Sequence, residues 1–303
     1  MNIVAISTTS FAEHDKSPLD LLKKNGYKTE LNPYGRKIKP AELVELARDA
    51  IGLIAGTEPI NDDTLSKLPN LKAISRCGAG MDNVDMEAAK RFNIRVSNTP
   101  DAPTLAVAEL TIGLILNLLR KVNEMDSAIR AGKWEKLTGN LLSRKKIGIM
   151  GFGKIGKKVA ELLKPFECEI AYADPNIKNA VPGFKNMSKE ELLRWAEIIT
   201  IHASSKETIL GRTEFGMLNK GVYLVNVSRG ETVDESALFA ALSKNDISGA
   251  AIDVFKEEPY DGPLKELSNA ILTPHIGSYA KEARINMEIE AVKNLIIALK
   301  KGV

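Results

Sequence analysis

The sequence predicts an α/β protein made of two doubly wound parallel sheets, and three observations carry that expectation. Short apolar runs alternate with helical stretches from the first residues to about Thr99. A second series of apolar runs starts at Lys146 and continues to Leu272. This second series opens on a strand that runs straight into Gly151-Phe-Gly153-Lys-Ile-Gly156 and then a helix. Short, continuously apolar strands separated by helices belong to parallel sheets covered on both faces.

In the first series the pattern predicts strands at 2–7, 29–32, 52–55, 72–76 and 95–98, with helices at 20–25, 40–49, 62–67 and 86–92. One long helix is expected over 103–131, with Pro103 in its first turn and Gly132 at its exit. That length suits a bridge between domains or a contact with a partner subunit. Strands follow at 146–150, 168–173, 198–201, 223–227, 249–253 and 270–272. Residues 280–300 carry apolar side chains at helical spacing, and Lys300-Lys301-Gly302 forms a suitable C-terminal cap. Two such units are expected to leave a cleft where a cofactor and a small substrate can meet.

The glycine run has a physical reading. Gly151 permits a tight turn, Gly153 lets the backbone approach a pyrophosphate, and Gly156 lets helix pack on strand. Amides at the helix start face the phosphates. Eighteen residues past Gly156, Asp174 closes the next strand, placed to accept hydrogen bonds from an adenosine ribose. The combination indicates a dinucleotide-binding βαβ unit.

Composition narrows the remaining classes. Of 303 residues, 44% are hydrophobic and 27% charged, the balance of a globular protein with room for two cores. A net charge of +3 without a long Lys/Arg cluster excludes a nucleic-acid footprint. Cys77 and Cys168 have no framework spacing and no nearby ligand partner, which points to reduced thiols in a cytoplasmic protein and to no metal. Asp82 and Asp85 follow a glycine turn and are expected to cap the next helix. His14 is expected at the surface. Residues 1–7 read as a first strand, not a signal peptide, and the apolar stretch 105–119 is broken by Glu109, Thr111 and Asn117, against a membrane span.

Three polar groups stand just beyond predicted strands. Arg229 lies in Val225-Asn-Val-Ser-Arg-Gly230, Glu258 in Asp253-Val-Phe-Lys-Glu-Glu-Pro259, and His275 in Thr273-Pro-His-Ile-Gly277. In an open α/β sheet the carboxyl ends of the strands line the ligand crevice. An arginine, a carboxylate and an imidazole delivered there form an acid–base constellation beside a nicotinamide.

With Arg76-Cys-Gly-Ala-Gly-Met-Asp-Asn-Val-Asp85, Asn98-Thr-Pro-Asp-Ala-Pro-Thr-Leu-Ala-Val-Ala-Glu109 and Gly132-Lys-Trp134, these motifs follow one another in a familiar order. Over nearly its whole length the chain resembles the D-isomer-specific 2-hydroxyacid dehydrogenases, in particular their phosphoglycerate-dehydrogenase-like branch. The resemblance implies a flavodoxin-like substrate domain from 1–98 plus 278–303 and a Rossmann NAD-binding domain from 99–277. It implies His275 as proton donor and acceptor at the substrate C2 oxygen, Glu258 as its hydrogen-bond partner, and Arg229 as the clamp on the substrate carboxylate. Gly78, Ala79 and Gly80 would hold the other side of that carboxylate, and Arg76 could meet a substrate phosphate. Lys154 and Ile155 in the fingerprint turn, His202, Ala203, Val227, Ser228 and Asp253 would join Gly151, Gly153, Gly156 and Asp174 around the cofactor. Glu257 and Trp134 are expected outside the chemistry, Trp134 in packing or an interface.

The resemblance also implies a homodimer acting on a small 2-hydroxy or 2-oxo acid, with D-3-phosphoglycerate the leading substrate. The alternatives are a glyoxylate/hydroxypyruvate or D-lactate-type reductase, and a non-catalytic NAD(H)-sensing corepressor-like protein. Gly56 stands where phosphoglycerate dehydrogenases often place a second arginine, and no C-terminal regulatory domain is expected. Asp174 is followed by Pro175 and Asn176 with no arginine to neutralise a 2′-phosphate, so NAD is expected over NADP.

Overall fold

The computed structural model describes residues 2–300. The chain forms two units. Unit 1 runs to Pro103 and resumes at Ser278; unit 2 comprises Thr104–Gly277.

Unit 1 alternates β1 (Ile3–Ile6), α1 (Ser17–Lys24), β2 (Lys28–Leu31), α2 (Pro40–Ala47), β3 (Gly52–Ala55), α3 (Asp62–Ser66), β4 (Ala73–Arg76), α4 (Met86–Arg91) and β5 (Arg95–Asn98). Its sheet has the order β2-β1-β3-β4-β5, with every pair parallel. Alternate side chains leave opposite faces, as the strand repeat requires. Ala5, Leu53, Ala55 and Ile74 pack with Leu43, Leu65 and Ala88 of α2–α4, whereas Val4, Ile6, Ile54 and Ala73 face the other way. There they meet Leu22 of α1 and Met287, Ala291, Leu295 and Leu299, one stripe of the closing helix α11 (Lys281–Lys300). Asp85 caps α4 by accepting from Ala88 N at 2.9 Å.

Unit 2 contains α5 (Thr104–Arg120), α6 (Val122–Arg130), β6 (Lys146–Met150), α7 (Lys154–Leu163), β7 (Glu169–Ala173), β8 (Lys185–Asn186), α8 (Lys189–Trp195), β9 (Ile198–Ile201), α9 (Arg212–Phe215), β10 (Val222–Asn226), α10 (Glu235–Ser243), β11 (Ile247–Ile252) and β12 (Ala270–Leu272). The parallel sheet runs β12-β11-β10-β9-β6-β7-β8, reversing direction between β6 and β9. Helices α5 and α7 cover one face through Leu114, Ile115, Val159 and Leu163. Helices α8 and α10 cover the other through Leu192, Leu193, Leu238 and Leu242. Both sheets are thus two-sided and parallel, as the apolar runs predict.

The structure departs from the sequence expectations in three places. The helix predicted over 103–131 is two helices, because Lys121 takes a left-handed φ of 53° and Asn117 Oδ1 accepts from Asn123 N at 3.0 Å. No residue of α6 is buried. Residues 99–103, expected in the cofactor domain, belong to unit 1. Thr99 is buried and exchanges hydrogen bonds with Gly78, and Ala102 packs against the apolar cluster under α11. The two-residue edge strand β8 was not anticipated. The expected cap at Lys301-Gly302 lies outside the described residues.

Candidate active site

At the carboxyl ends of β6, β7 and β9, unit 2 holds a crevice of about 1220 Å³. Gly151, Gly153, Asp174, His202 and Ala203 line it, together with Lys157, Pro175 and Asn176. Gly151 has φ 86°, and a Cβ there would lie 2.6 Å from Ala203 N. A Cβ at Gly156 would strike Gly151 O at 2.2 Å, whereas the space over Gly153 is open. The turn is therefore tight on the protein side and bare toward the crevice, at the start of α7, where helix amides favour an anion. Asp174 is fixed by Phe152 N (2.7 Å to Oδ2) and Asn176 N (2.9 Å to Oδ1). Each oxygen keeps a further lone pair for a ligand hydroxyl.

His202 borders the crevice with enclosed ring nitrogens. Nε2 lies 2.9 Å from Thr200 Oγ1, and Nδ1 is buried without a hydrogen-bond partner among the described residues. Burial pushes its pKa down to about 3, so the ring is neutral. The other residues singled out for cofactor contact lie elsewhere. Lys154 opens α7 on its exposed side, and Ile155 is half-buried against the core. Val227 is in the core, and the Ser228 hydroxyl is committed to Asn226 Oδ1 at 2.8 Å.

The three acid–base candidates stand beyond β10, β11 and β12 on the same edge. Asn226 Nδ2 and Thr232 Oγ1 both donate to Arg229 O, at 3.0 and 2.6 Å, and the Arg229 guanidinium donates to Ser228 O at 2.8 Å. The next residue, Gly230, lies so close to Phe255 that a Cβ would sit 2.0 Å from its carbonyl carbon. That contact sets the arginine loop against the loop of Glu258, whose Oε1 accepts from Phe255 N at 3.2 Å. Glu258 meets His275 Nδ1 at 3.0 Å through Oε2 and 3.1 Å through Oε1. Both side chains are about a third to two-fifths exposed (32% and 43%), so they are open to a ligand.

His275 has a left-handed φ of 54°, uncommon outside glycine. Asp253 holds it there. Its fully buried carboxylate accepts from Thr273 Oγ1 at 2.6 Å, Ile276 N at 2.8 Å and Gly277 N at 2.9 Å, gripping the loop on both sides of the imidazole. Burial raises the Asp253 pKa against the opposing pull of these donors. Sequence reading assigned Asp253 to the cofactor; both of its oxygens are engaged with the histidine loop.

In unit 1, the predicted substrate loop 76–80 follows β4. Gly78 has φ 145°, and the Arg76 guanidinium folds so closely over it that a Cβ would lie 1.2 Å from Nη1. Arg76 Nη1 donates to Cys77 O at 2.9 Å. The Gly78 amide, expected to face a ligand, instead donates to buried Thr99 Oγ1 at 2.7 Å. Ala79 and Gly80 are partly exposed, and Ala79 O accepts from Asn98 Nδ2 at 2.7 Å.

Among the described residues no group of His, Cys, Asp and Glu is arranged to hold a metal ion, and no helix is long and apolar enough to cross a membrane. Both cysteines are free thiols, each raised to about 11 by burial. His14 and Glu257 are exposed, and Trp134 is 81% exposed.

Residues 112–277 match the family model described as D-isomer specific 2-hydroxyacid dehydrogenase, NAD binding domain. The chain belongs to that family. It is accordingly an NAD-dependent oxidoreductase, and unit 2 carries the NAD-binding domain. A glyoxylate reductase of Thermofilum pendens is 38% identical over 275 residues, covering 86% of this chain and 81% of the relative. A D-3-phosphoglycerate dehydrogenase of Archaeoglobus fulgidus is 33% identical over 289 residues, covering 92% of this chain but only 54% of the relative. The crystal structure of a glyoxylate reductase from Paecilomyes thermophila superposes with a TM-score of 0.86 at 29% identity, covering 99% and 96% of the two chains.

The residues that sequence reading missed are those that hold the chemistry in place: Asn226, Thr232, Thr273 and Thr99. Each is a small polar residue whose partner is fixed only by the fold. Asn226 alone carried a signal, since a buried amide at a strand end needs partners.

Proposed function

We propose that this protein reduces small 2-oxo acids to D-2-hydroxy acids with NADH, and runs the reverse oxidation with NAD. The observation that carries the reading is the His275–Glu258 pair at 3.0 Å, on the same sheet edge as Arg229 and the glycine turn. The turn fits the cofactor: its bare Gly153 face would meet the pyrophosphate and Asp174 the adenosine ribose. When bound, NADH supplies the hydride for the substrate C2.

This chain's residues do the rest. Glu258 accepts from His275 Nδ1, which fixes the ring and leaves Nε2 to give a proton to the C2 oxygen. Arg229 takes the substrate carboxylate with its planar donor fork. In unit 1 we assign carboxylate binding to the Ala79 and Gly80 amides, a role we do not extend to Gly78. Asp253 positions His275 through the loop. NADH consumption with glyoxylate, pyruvate, hydroxypyruvate and 3-phosphohydroxypyruvate tests the reading; turnover of none of them overturns it and favours a non-catalytic NAD(H)-binding protein. D-3-phosphoglycerate, the substrate ranked first from sequence, needs a cation at its phosphate, and Arg76 is the candidate.

An exposed apolar surface of unit 2 supports a reading of the assembly. Leu105, Val122, Ile129, Trp134 and Leu141 are each more than half exposed on α5, α6 and the segment after them. Apolar side chains concentrated there mark a contact surface, and we assign it to a homodimer. A monomeric mass in light scattering at micromolar concentration overturns the assignment.

A further inference from the structure

The sheet of unit 1 reverses its winding between β1 and β3, and open α/β sheets bind ligands at such a switch point. The group standing there is a carboxylate. Glu58, 1% exposed, folds back over the end of β3, where its Oε1 accepts from Gly56 N at 3.0 Å and from the Ser7 hydroxyl. Ser7 follows β1 and Gly56 follows β3, so these bonds span the reversal. A Cβ at position 56 would lie 2.8 Å from Glu58 Oε2, so an arginine cannot stand there while Glu58 keeps its place. Thr8, whose Cα would lie 3.5 Å from the same Cβ, has a buried hydroxyl without a partner among the described residues.

This corner is joined to the loop assigned to the substrate carboxylate. Cys77 N donates to Ala55 O at 2.8 Å. Asn83 Nδ2 donates to Glu58 O at 2.7 Å and to Gly56 O at 3.2 Å. The Glu58 corner and loop 76–80 are therefore immediate neighbours, since adjacent strands lie about 4.8 Å apart. A carboxylate shielded from solvent acts at that range with little screening by salt. The loop amides answer the carboxylate that every 2-oxo acid carries; a second anionic group would add like charge beside Glu58, whereas an unsubstituted or hydroxyl-bearing 2-oxo acid brings no further charge. Discrimination by placing a repulsive group against the wrong ligand is a general device. The one basic side chain of the loop, Arg76, is folded onto Gly78 and Cys77 O.

We propose that Glu58, with Gly56, is a specificity-determining residue that selects 2-oxo acids with no anionic group beyond their carboxylate and excludes phosphorylated ones. The inference rests on the reductase reading above, and it reverses the substrate ranking drawn from sequence. The test compares kcat/KM, with NADH, for hydroxypyruvate and 3-phosphohydroxypyruvate, which differ only in the phosphate. In the wild type the unphosphorylated acid is favoured by roughly 10-fold or more. Glu58→Gln narrows that ratio by roughly 5-fold or more by raising kcat/KM for the phosphorylated acid, while Glu58→Asp, which keeps the charge, preserves it.

A wild-type preference for 3-phosphohydroxypyruvate overturns the proposal without any variant. So does a ratio unchanged in Glu58→Gln while glyoxylate is still reduced, and that result leaves the reductase reading standing. Turnover of no 2-oxo acid removes both.

Discussion

The carboxyl edges of the two sheets are built in opposite ways. In unit 2 the edge presents side chains: Arg229, Glu258 and His275 each project from a loop tied down by a buried neighbour, whether Asn226, the Phe255 amide or Asp253. In unit 1 the edge presents backbone, the loop around Gly78 held by Thr99, beside one buried carboxylate. Side chains can move protons and polarise a carbonyl; amides and a fixed charge can only admit or refuse. On the reading proposed above, reaction belongs to the edge of unit 2 and selection to that of unit 1.

The largest effect should come from the reacting side. His275→Ala is expected to cut turnover by roughly 100-fold or more, the share of a general acid. NADH affinity, measured by fluorescence titration, should stay within about threefold, because His275 lies outside the crevice of the glycine turn. Turnover at the wild-type level would take His275 out of its assigned place.

The cofactor side comes next. A carboxylate facing a 2′-phosphate repels it, so kcat/KM with NADH should exceed that with NADPH by roughly 10-fold or more. Asp174→Ser should narrow the gap. Equal or better use of NADPH by the wild type contradicts the role given to Asp174.

On the selecting side, Thr99→Val leaves the Gly78 amide without its acceptor in a buried setting, at a cost of about 1–3 kcal/mol. Urea unfolding should show that loss, and KM for the 2-oxo acid should rise more than kcat falls. A fall in kcat alone would mean that the loop serves the reaction and not the grip on substrate.

The smallest effect is a pH dependence at His202. Its folded pKa of about 3 lies below the ordinary 6.5 because of burial. Below pH 6.5 the unfolded chain takes up a proton there and the folded one does not, so this contribution to stability falls from about pH 6.5 down towards 3. His202→Gln should lose less stability than the wild type between pH 7 and pH 5. An equal loss would show that the ring titrates normally.

How much of this was legible follows from the range of each interaction. Strand β3 is four buried residues bounded by turn residues, and the sequence marks it residue for residue. The glycine turn is legible because steric need writes itself into residue type. The break at Lys121 is not, because one left-handed lysine leaves the apolar periodicity on either side undisturbed. Nor are the ties at Asp253 and Thr99, since each joins groups about 20 residues apart or more whose proximity only the fold creates. Arg229, Glu258 and His275 are candidates that motif order nominates, yet what immobilises them is not legible there. The refusal of a long side chain at position 56 comes from the folded-back Glu58 carboxylate and needed coordinates.

Helix α11 brings a last consequence, for biosynthesis. The face of β1, β3 and β4 bearing Val4, Ile6, Ile54 and Ala73 is sealed by Met287, Ala291, Leu295 and Leu299, which the ribosome delivers only after all of unit 2. At typical elongation rates the nascent N-terminal sheet waits on the order of ten seconds with that oily flank bare. Chaperone capture should therefore peak before codon 281 is read, and a chain stopped at Gly277 should aggregate through its first hundred residues.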